Sequence, residues 1–314
     1  MERNPNTDWF QKAGYGVFFH YLEKSQNTPE DPKGLAQGKQ SDWEECVREF
    51  DVERFASDVN KTGAGYVMFS IMQLFKFMIA PNKTYDAYTG YKPGEACSTR
   101  DLIEDIYQAL SRYNIPLILY FTGDGPSRDP QASKGLNTIE YGKDNEKISN
   151  EFLDKWLKVT QEYSLRYGEK IAGWWIDGAY DCIGYDERRL ERFADVLRAG
   201  NPKSILAFNC GGATQPIHYY FAAEDYIAGE RDYLGDQYPV ERWIGGRQWH
   251  MQCSLGDRWG WPNVRYSSAR LIHQIGTCME KGGVITMDLA VYRDGSLSKE
   301  QVEVMEKVKN AVRK

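Results

Sequence analysis

Short apolar runs alternate with longer stretches of helical period along nearly the whole chain. Tyr15 to Phe19, Gly65 to Phe69, Pro116 to Tyr120, Ile171 to Ile176, Ser204 to Phe208, Arg247 to Cys253 and Gly283 to Met287 are short and apolar, the pattern of strands buried on both faces. Val52 to Lys61, Asp101 to Arg112, Glu151 to Tyr167, Asp186 to Ala199 and Ser267 to Lys281 have the period of helices, with Asn114 placed to stop the second of them. Ser298-Lys299-Glu300-Gln301 has the spacing of a capping box and opens a last helix. Repeated strand and helix predicts a parallel sheet with helical crossovers. The length favours closure into an irregular (β/α)8 barrel of TIM type, a single domain spanning residues 1–314. Gln26 to Ser41 and Gly123 to Lys147 are too long for simple connections and are expected to be rim loops. Between Phe208 and Arg247 the pattern loosens into a Gly-rich stretch in which no element is predicted.

In such a barrel, groups at the carboxyl ends of strands converge on the reaction pocket. Asp177 stands directly after the run Trp174-Trp175-Ile176 and before Gly178, so its carboxylate is expected at a strand end beside two indoles. Successive strand residues face opposite sides, and parity points Trp175 rather than Trp174 toward the pocket. An Asp-Gly pair after a strand is also an ordinary turn former, because Asp bonds its own backbone and Gly accepts positive φ. The local pattern leaves both readings open.

Composition narrows the partners. A net charge of -6 lacks the basic footprint of a nucleic-acid binder, and no P-loop or dinucleotide fingerprint is present. Nine Trp, 21 Tyr and 13 Phe supply flat amphipathic rings, most of them for the core and some suited to sugar faces. The six Cys and four His are scattered without CxxC or HxxxH spacing, so neither a disulfide framework, a metal site nor a cofactor is expected. Met1-Glu2-Arg3-Asn4-Pro5 has no apolar leader core, and no run of about eighteen apolar residues exists for a membrane span. A removed leader would leave the same pattern, so the compartment, periplasmic, secreted or cytoplasmic, stays open, as does the oligomeric state.

Several segments, in order, resemble the α-L-fucosidase family, glycoside hydrolase family 29. They are Trp9-Phe10, Gly14-Tyr15-Gly16-Val17-Phe18-Phe19-His20, Ser41-Asp42-Trp43, Phe50-Asp51, Phe55-Ala56, Thr62-Gly63-Ala64-Gly65-Tyr66-Val67, and Thr99-Arg100-Asp101-Leu102. They continue with Leu119-Tyr120-Phe121, Trp174-Trp175-Ile176-Asp177-Gly178, Glu224-Asp225-Tyr226 through Glu230, Trp259-Gly260-Trp261 and Lys281-Gly282-Gly283. The resemblance implies a retaining exo-glycosidase acting on a terminal α-linked sugar, L-fucose or a relative, in an oligosaccharide or glycoconjugate. It implies Asp177 as nucleophile and Glu230 as acid/base, with Asp232, Asp236, Asp42 and Glu224 as rivals for the second role. His20, Trp43, Asp42, Gln73, Tyr120 and Trp175 are then the expected sugar contacts.

Three departures from that family stand out. Gln73-Leu74 replaces a His-His pair that grips sugar hydroxyls, which puts fucose specificity in question because a site built for a hydroxyl discriminates strongly. Phe208-Asn209-Cys210-Gly211-Gly212 lacks the Arg expected before the acid/base, and the family's C-terminal β-sandwich is not expected in this chain. A barrel that binds carbohydrate without cleaving it is the alternative function.

Overall fold

The sheet is built from eight parallel strands: β1 (Tyr15–Phe19), β2 (Val67–Ser70), β3 (Leu117–Thr122), β4 (Ile171–Asp177), β5 (Ile205–Phe208), β6 (Glu230–Arg231), β7 (His250–Ser254) and β8 (Val284–Leu289). Their order is β5-β4-β3-β2-β1-β8-β7-β6, so pairing of β1 with β8 brings the two ends of the chain together. Helices Val52–Thr62, Leu102–Ser111, Asn150–Tyr167, Glu187–Arg198, Ser268–Glu280 and Lys299–Val312 follow β1, β2, β3, β4, β7 and β8. The computed structural model describes residues 4–139, 147–211 and 216–313, and the fold is an irregular (β/α)8 barrel. Parts of the expected Gly123 to Lys147 rim loop, and Gly212, fall outside the described residues. Among the described residues no helix is long and apolar enough to cross a membrane.

Two local expectations are corrected. The run Arg247 to Cys253 is not one strand: Arg247–Gln248 pairs antiparallel with Trp243–Ile244, and only His250–Ser254 enters the barrel. Trp249 marks the break, its N–H donating to the Arg242 carbonyl at 2.8 Å. Nor does Ser298 cap the last helix with its side chain, because its hydroxyl donates to Pro262 O at 2.6 Å. Gln301 likewise serves tertiary structure, donating to Trp261 and Asn263 carbonyls and accepting from Ala290 N at 2.8 Å. Buried polar side chains are drawn to the nearest unpaired backbone, and here that backbone is not the helix's own.

Strand alternation sorts side chains into two cores. Tyr15, Val17, Phe19, Val67, Phe69, Leu117, Leu119 and Phe121 face the helices, while Phe18, Met68, Ile118, Tyr120 and Trp175 fill the barrel. Phe10, from the short helix Asp8–Ala13, plugs the floor against Tyr66 and Tyr226, each with its ring centroid 4.8 Å away. Gly16 is required beside that plug, since a Cβ there would lie 2.4 Å from the Tyr66 ring.

One irregularity sets the orientation of the site. Leu117 pairs with Ile171 but Ile118 pairs with Gly173, so Ala172 is an extra residue bulged out of β4. A one-residue insertion reverses which side every later residue faces. Ile171 faces the helices, and after the bulge Trp174 and Ile176 do so too, which leaves Trp175 and Asp177 facing inward.

A second irregularity is the seam between β5 and β6, where no strand ladder forms and, among the described residues, no helix intervenes. Asp225 substitutes for a strand partner: its N–H donates to Leu206 O at 2.9 Å and its carboxylate accepts from Leu206 N at 2.8 Å. Arg198 balances that carboxylate at 2.7 Å. Buried Glu224 similarly accepts from the backbone N–H groups of Phe208, Tyr220 and Phe221. Backbone groups that would otherwise be orphaned at the open edge are thereby satisfied.

Candidate active site

Asp177, the last residue of β4, is held by four donors. Oδ1 accepts from Gly178 N, Tyr180 Oη and Asn209 Nδ2, each at 2.9 Å, and Oδ2 accepts from Tyr120 Oη at 2.6 Å. The carboxylate is therefore fixed in one orientation, with, among the described residues, the Tyr120 hydroxyl alone on Oδ2. Burial, and then the Asp177 charge, push the Tyr120 and Tyr180 phenols up, so both remain protonated donors. Gln73 Nε2 donates to Tyr120 Oη at 2.8 Å, which orients that hydroxyl toward Asp177.

Glu230 opens β6 and faces inward. Asn209, the residue after β5, donates from one nitrogen to both carboxylates, at 2.9 Å to Asp177 Oδ1 and 2.5 Å to Glu230 Oε2. Those two oxygens consequently lie no more than 5.4 Å apart. Burial is the largest cause pushing the Glu230 carboxyl up to about 7; the Asp177 charge adds to it, and the Asn209 hydrogen bond opposes it. Asp124 is a third carboxyl beside this pair, raised to about 7 by burial and then by the Asp177 charge, with Oδ1 unpartnered. It packs against Gly178, where a Cβ would lie 2.6 Å from Oδ1 and where φ is +64°.

Asp177, Glu230, Tyr120 and Gln73 line a cavity of about 150 Å³ at the carboxyl ends of the strands. Its wall also carries His20, whose Nδ1 is 2.7 Å from Asp288 Oδ1. A carboxylate partner places a proton on Nδ1 and fixes the ring's orientation. Gly260 N donates to the other Asp288 oxygen at 2.5 Å and so ties the Trp259 loop to the same buried acid. Trp175 stacks on Tyr120 with ring centroids 5.4 Å apart, and its Nε1 donates to Ala228 O. Phe18, Leu22, Lys33, Gln252 and Trp259 complete the lining. Apolar ring faces beside a few fixed polar groups suit a sugar, whose C–H faces stack while its hydroxyls bond.

The profile of the α-L-fucosidase family matches residues 1–313. The chain belongs to the α-L-fucosidase family. As a member it is a glycoside hydrolase, and its fold is that of solved relatives. The α-L-fucosidase AlfC from Lactobacillus casei, in complex with α-L-fucose product, is 17% identical with a TM-score of 0.65, covering 98% of each chain. α-L-fucosidase isoenzyme 1 from Paenibacillus thiaminolyticus is also 17% identical, with a TM-score of 0.67 over 98% of this chain and 75% of that one. Endo-fucoidan hydrolase P5AFcnA from glycoside hydrolase family 107 reaches 0.72 at 14% identity, over 98% of this chain and 93% of its own. Likeness at these identities is one of fold. No match is found among curated protein sequences.

Within this fucosidase-family barrel, six of the eight residues singled out from sequence come together: Asp177, Glu230, His20, Gln73, Tyr120 and Trp175 all line the cavity. Asp42 and Trp43 do not. Asp42 is exposed and caps helix Trp43–Arg48, accepting from Glu45 N at 2.7 Å. Trp43 is 3% exposed in the layer under the helices, donating to Met78 O at 2.9 Å and packing on Tyr21 and Phe77. Of the rivals to Glu230, Asp236 pairs with Arg270, Asp232 is exposed, and Glu224 is committed to the seam. Sequence reasoning missed Asn209, Tyr180, Asp288, Lys33 and Gln252 as site residues. Asn209 and Asp288 stand after or near the ends of predicted strands, and the strand-end rule that found Asp177 covers them too.

Proposed function

We propose that this protein is a retaining α-L-fucosidase, acting on a terminal α-linked L-fucose or a closely related sugar, with Asp177 as nucleophile and Glu230 as general acid and base. The observation that carries the reading is the Asn209 bridge, which keeps one oxygen of each carboxylate within 5.4 Å of the other. Retaining glycosidases hold their two carboxyl groups about 5 to 5.5 Å apart, whereas inverting ones leave about 6.5 to 9.5 Å for a water.

In this reading Asp177 attacks the anomeric carbon while Glu230, protonated below about pH 7, gives its proton to the leaving oxygen. The covalent bond converts Asp177 into an ester and removes its negative charge. One of the causes that raise Glu230 disappears with it, so Glu230, having given up its proton, stays ionised and is available as the base that takes a proton from water in the second step. Tyr120, aligned by Gln73, offers its hydrogen bond to the Asp177 oxygen and keeps that atom directed into the cavity. His20 and Gln252 supply hydroxyl partners, and Trp259 and Trp175 the apolar faces.

A panel of 4-nitrophenyl glycosides tests the assignment. Hydrolysis of the α-L-fucoside is expected, with the α-anomer as first product by NMR. A 2-fluoro-fucosyl donor is expected to leave its mass on the peptide carrying Asp177, and Asp177→Ala to abolish turnover. First release of the β-anomer, or a label on another residue, would sink the scheme; sugar binding without any turnover would favour the carbohydrate-binding alternative.

A further inference from the structure

Glu230 lines a second cavity as well as the sugar cavity, whereas Asp177 lines the sugar cavity and not the second. A retaining glycosidase places its acid beside the leaving oxygen and its nucleophile across the anomeric carbon from it, so the second cavity lies where the aglycone departs. Its far wall is made by Asn209 and Cys210, just past β5, and by Pro216, Ile217, His218 and Tyr220. The enclosed part is about 20 Å³, room for one water or one hydroxyl. Anything larger must lie across the mouth.

That mouth is aromatic, and its rings are fixed in advance. His218 and Tyr220 lie with centroids 4.4 Å apart, and Tyr220 is 39% exposed. Tyr219, between them, packs the other way: the Arg247 guanidinium carbon is 4.7 Å from its ring centroid, and a Cβ on Gly245 would lie 2.2 Å from the ring. Backbone bonds hold the segment at both ends, Ile217 N donating to Gln237 Oε1 at 2.9 Å and Tyr220 N to Glu224 Oε2 at 3.1 Å. His218 Nδ1 donates to Pro216 O, and the Tyr220 hydroxyl bonds to Cys210. Rings anchored in this way lose little freedom when a ligand stacks on them.

We infer that His218 and Tyr220 form the platform for a second sugar ring, so that the substrate is a fucosylated oligosaccharide rather than a fucoside of a small alcohol. The apolar face of that ring stacks at the mouth, and one of its hydroxyls fits the small cavity beside Asn209 and Glu230. The inference rests on the proposed glycosidase reading for the side on which the aglycone leaves.

Methyl α-L-fucoside and α-L-fucosyl disaccharides of galactose, glucose and N-acetylglucosamine test it, because all release an alcohol and only the disaccharides carry a second ring. At least one disaccharide is expected to exceed methyl fucoside in kcat/KM by roughly 3- to 10-fold, the scale of one ring contact. His218→Ala and Tyr220→Ala should each lower that ratio, the double variant should bring it to about one, and Tyr220→Phe, which keeps the ring, should retain it. Asp177→Ala allows the comparison without turnover: by calorimetry it should bind the preferred disaccharide more tightly than L-fucose, and adding Tyr220→Ala should remove most of the difference. If no disaccharide is preferred in either assay, or if the preference survives in the His218→Ala/Tyr220→Ala variant, the platform does not exist. Absent hydrolysis of 4-nitrophenyl fucoside would instead overturn the glycosidase reading, with the platform decided by the calorimetry alone.

Discussion

Replacing Asn209 with Ala removes the nitrogen that bridges both carboxylates, and its effect follows from the two bonds it makes. A hydrogen bond to a charged group contributes about 1.5–3 kcal/mol. On the proposed roles, at Glu230 the bond strengthens as the acid releases its proton, whereas at Asp177 it weakens as the attacking carboxylate loses charge, so the net loss in the transition state is about one such bond. Asn209→Ala should therefore lower kcat/KM by roughly 10- to 150-fold. The pH profile gives the sharper readout. Burial and the Asp177 charge raise Glu230 to about 7 while Asn209 opposes them, so removing the amide should move the alkaline limb of kcat/KM to higher pH. The assay is initial-rate kinetics on 4-nitrophenyl fucoside between pH 5 and 9, with circular dichroism as the check on folding. A limb displaced toward acid, or an unchanged profile with less than a twofold loss, would refute the bridging role.

Glu230→Gln should slow a fucoside with a poor leaving group far more than a 2,4-dinitrophenyl one, since only the former needs protonation; equal slowing assigns the proton to another group. Tyr120→Phe leaves Asp177 Oδ2 and the Gln73 amide without their shared partner, and kcat should fall about tenfold with circular dichroism unchanged; an unaltered kcat would remove Tyr120 from the mechanism. Asp42→Ala should cost about 1 kcal/mol in urea unfolding, the value of a lost helix cap, with kcat/KM intact; a large activity loss without unfolding would return Asp42 to the site. Glu224 is raised to about 8, chiefly by burial, so its contribution to stability is present below its ordinary value and is lost as pH rises through 8. The melting temperature should fall between about pH 5 and 8, the interval between the two values, and Glu224→Gln should flatten that decline; parallel slopes would refute the assignment.

The barrel was legible because its strands are short apolar runs separated by helical periods, and that contrast survives without any knowledge of neighbours. Asp177 was legible as a strand end and Trp175 by parity, although the Ala172 bulge that makes the parity come out this way leaves no mark in the sequence. The seam was not legible: Glu230–Arg231 is only two residues long, and the polar side chains that replace its missing partner look like loop. Trp43 and Asp42 were misplaced because a Trp after an Asp carries no sign of whether it is a ring at the mouth or a cap followed by a core residue. The Ser298 spacing failed similarly, since a capping box is a local pattern and Gln301 found its partners on a distant loop.

The seam has a consequence for how such a site can diverge. The strand bearing the proposed nucleophile is laddered along both edges, by β3 and β5, whereas the proposed proton donor rides on a two-residue strand whose ladder, among the described residues, is with β7 alone. One partner in the chemistry is thus immovable and the other is carried by a piece of chain that can be rebuilt without recutting the sheet. On the proposed roles, the open edge lets the acid be relocated while the attacking oxygen keeps its place.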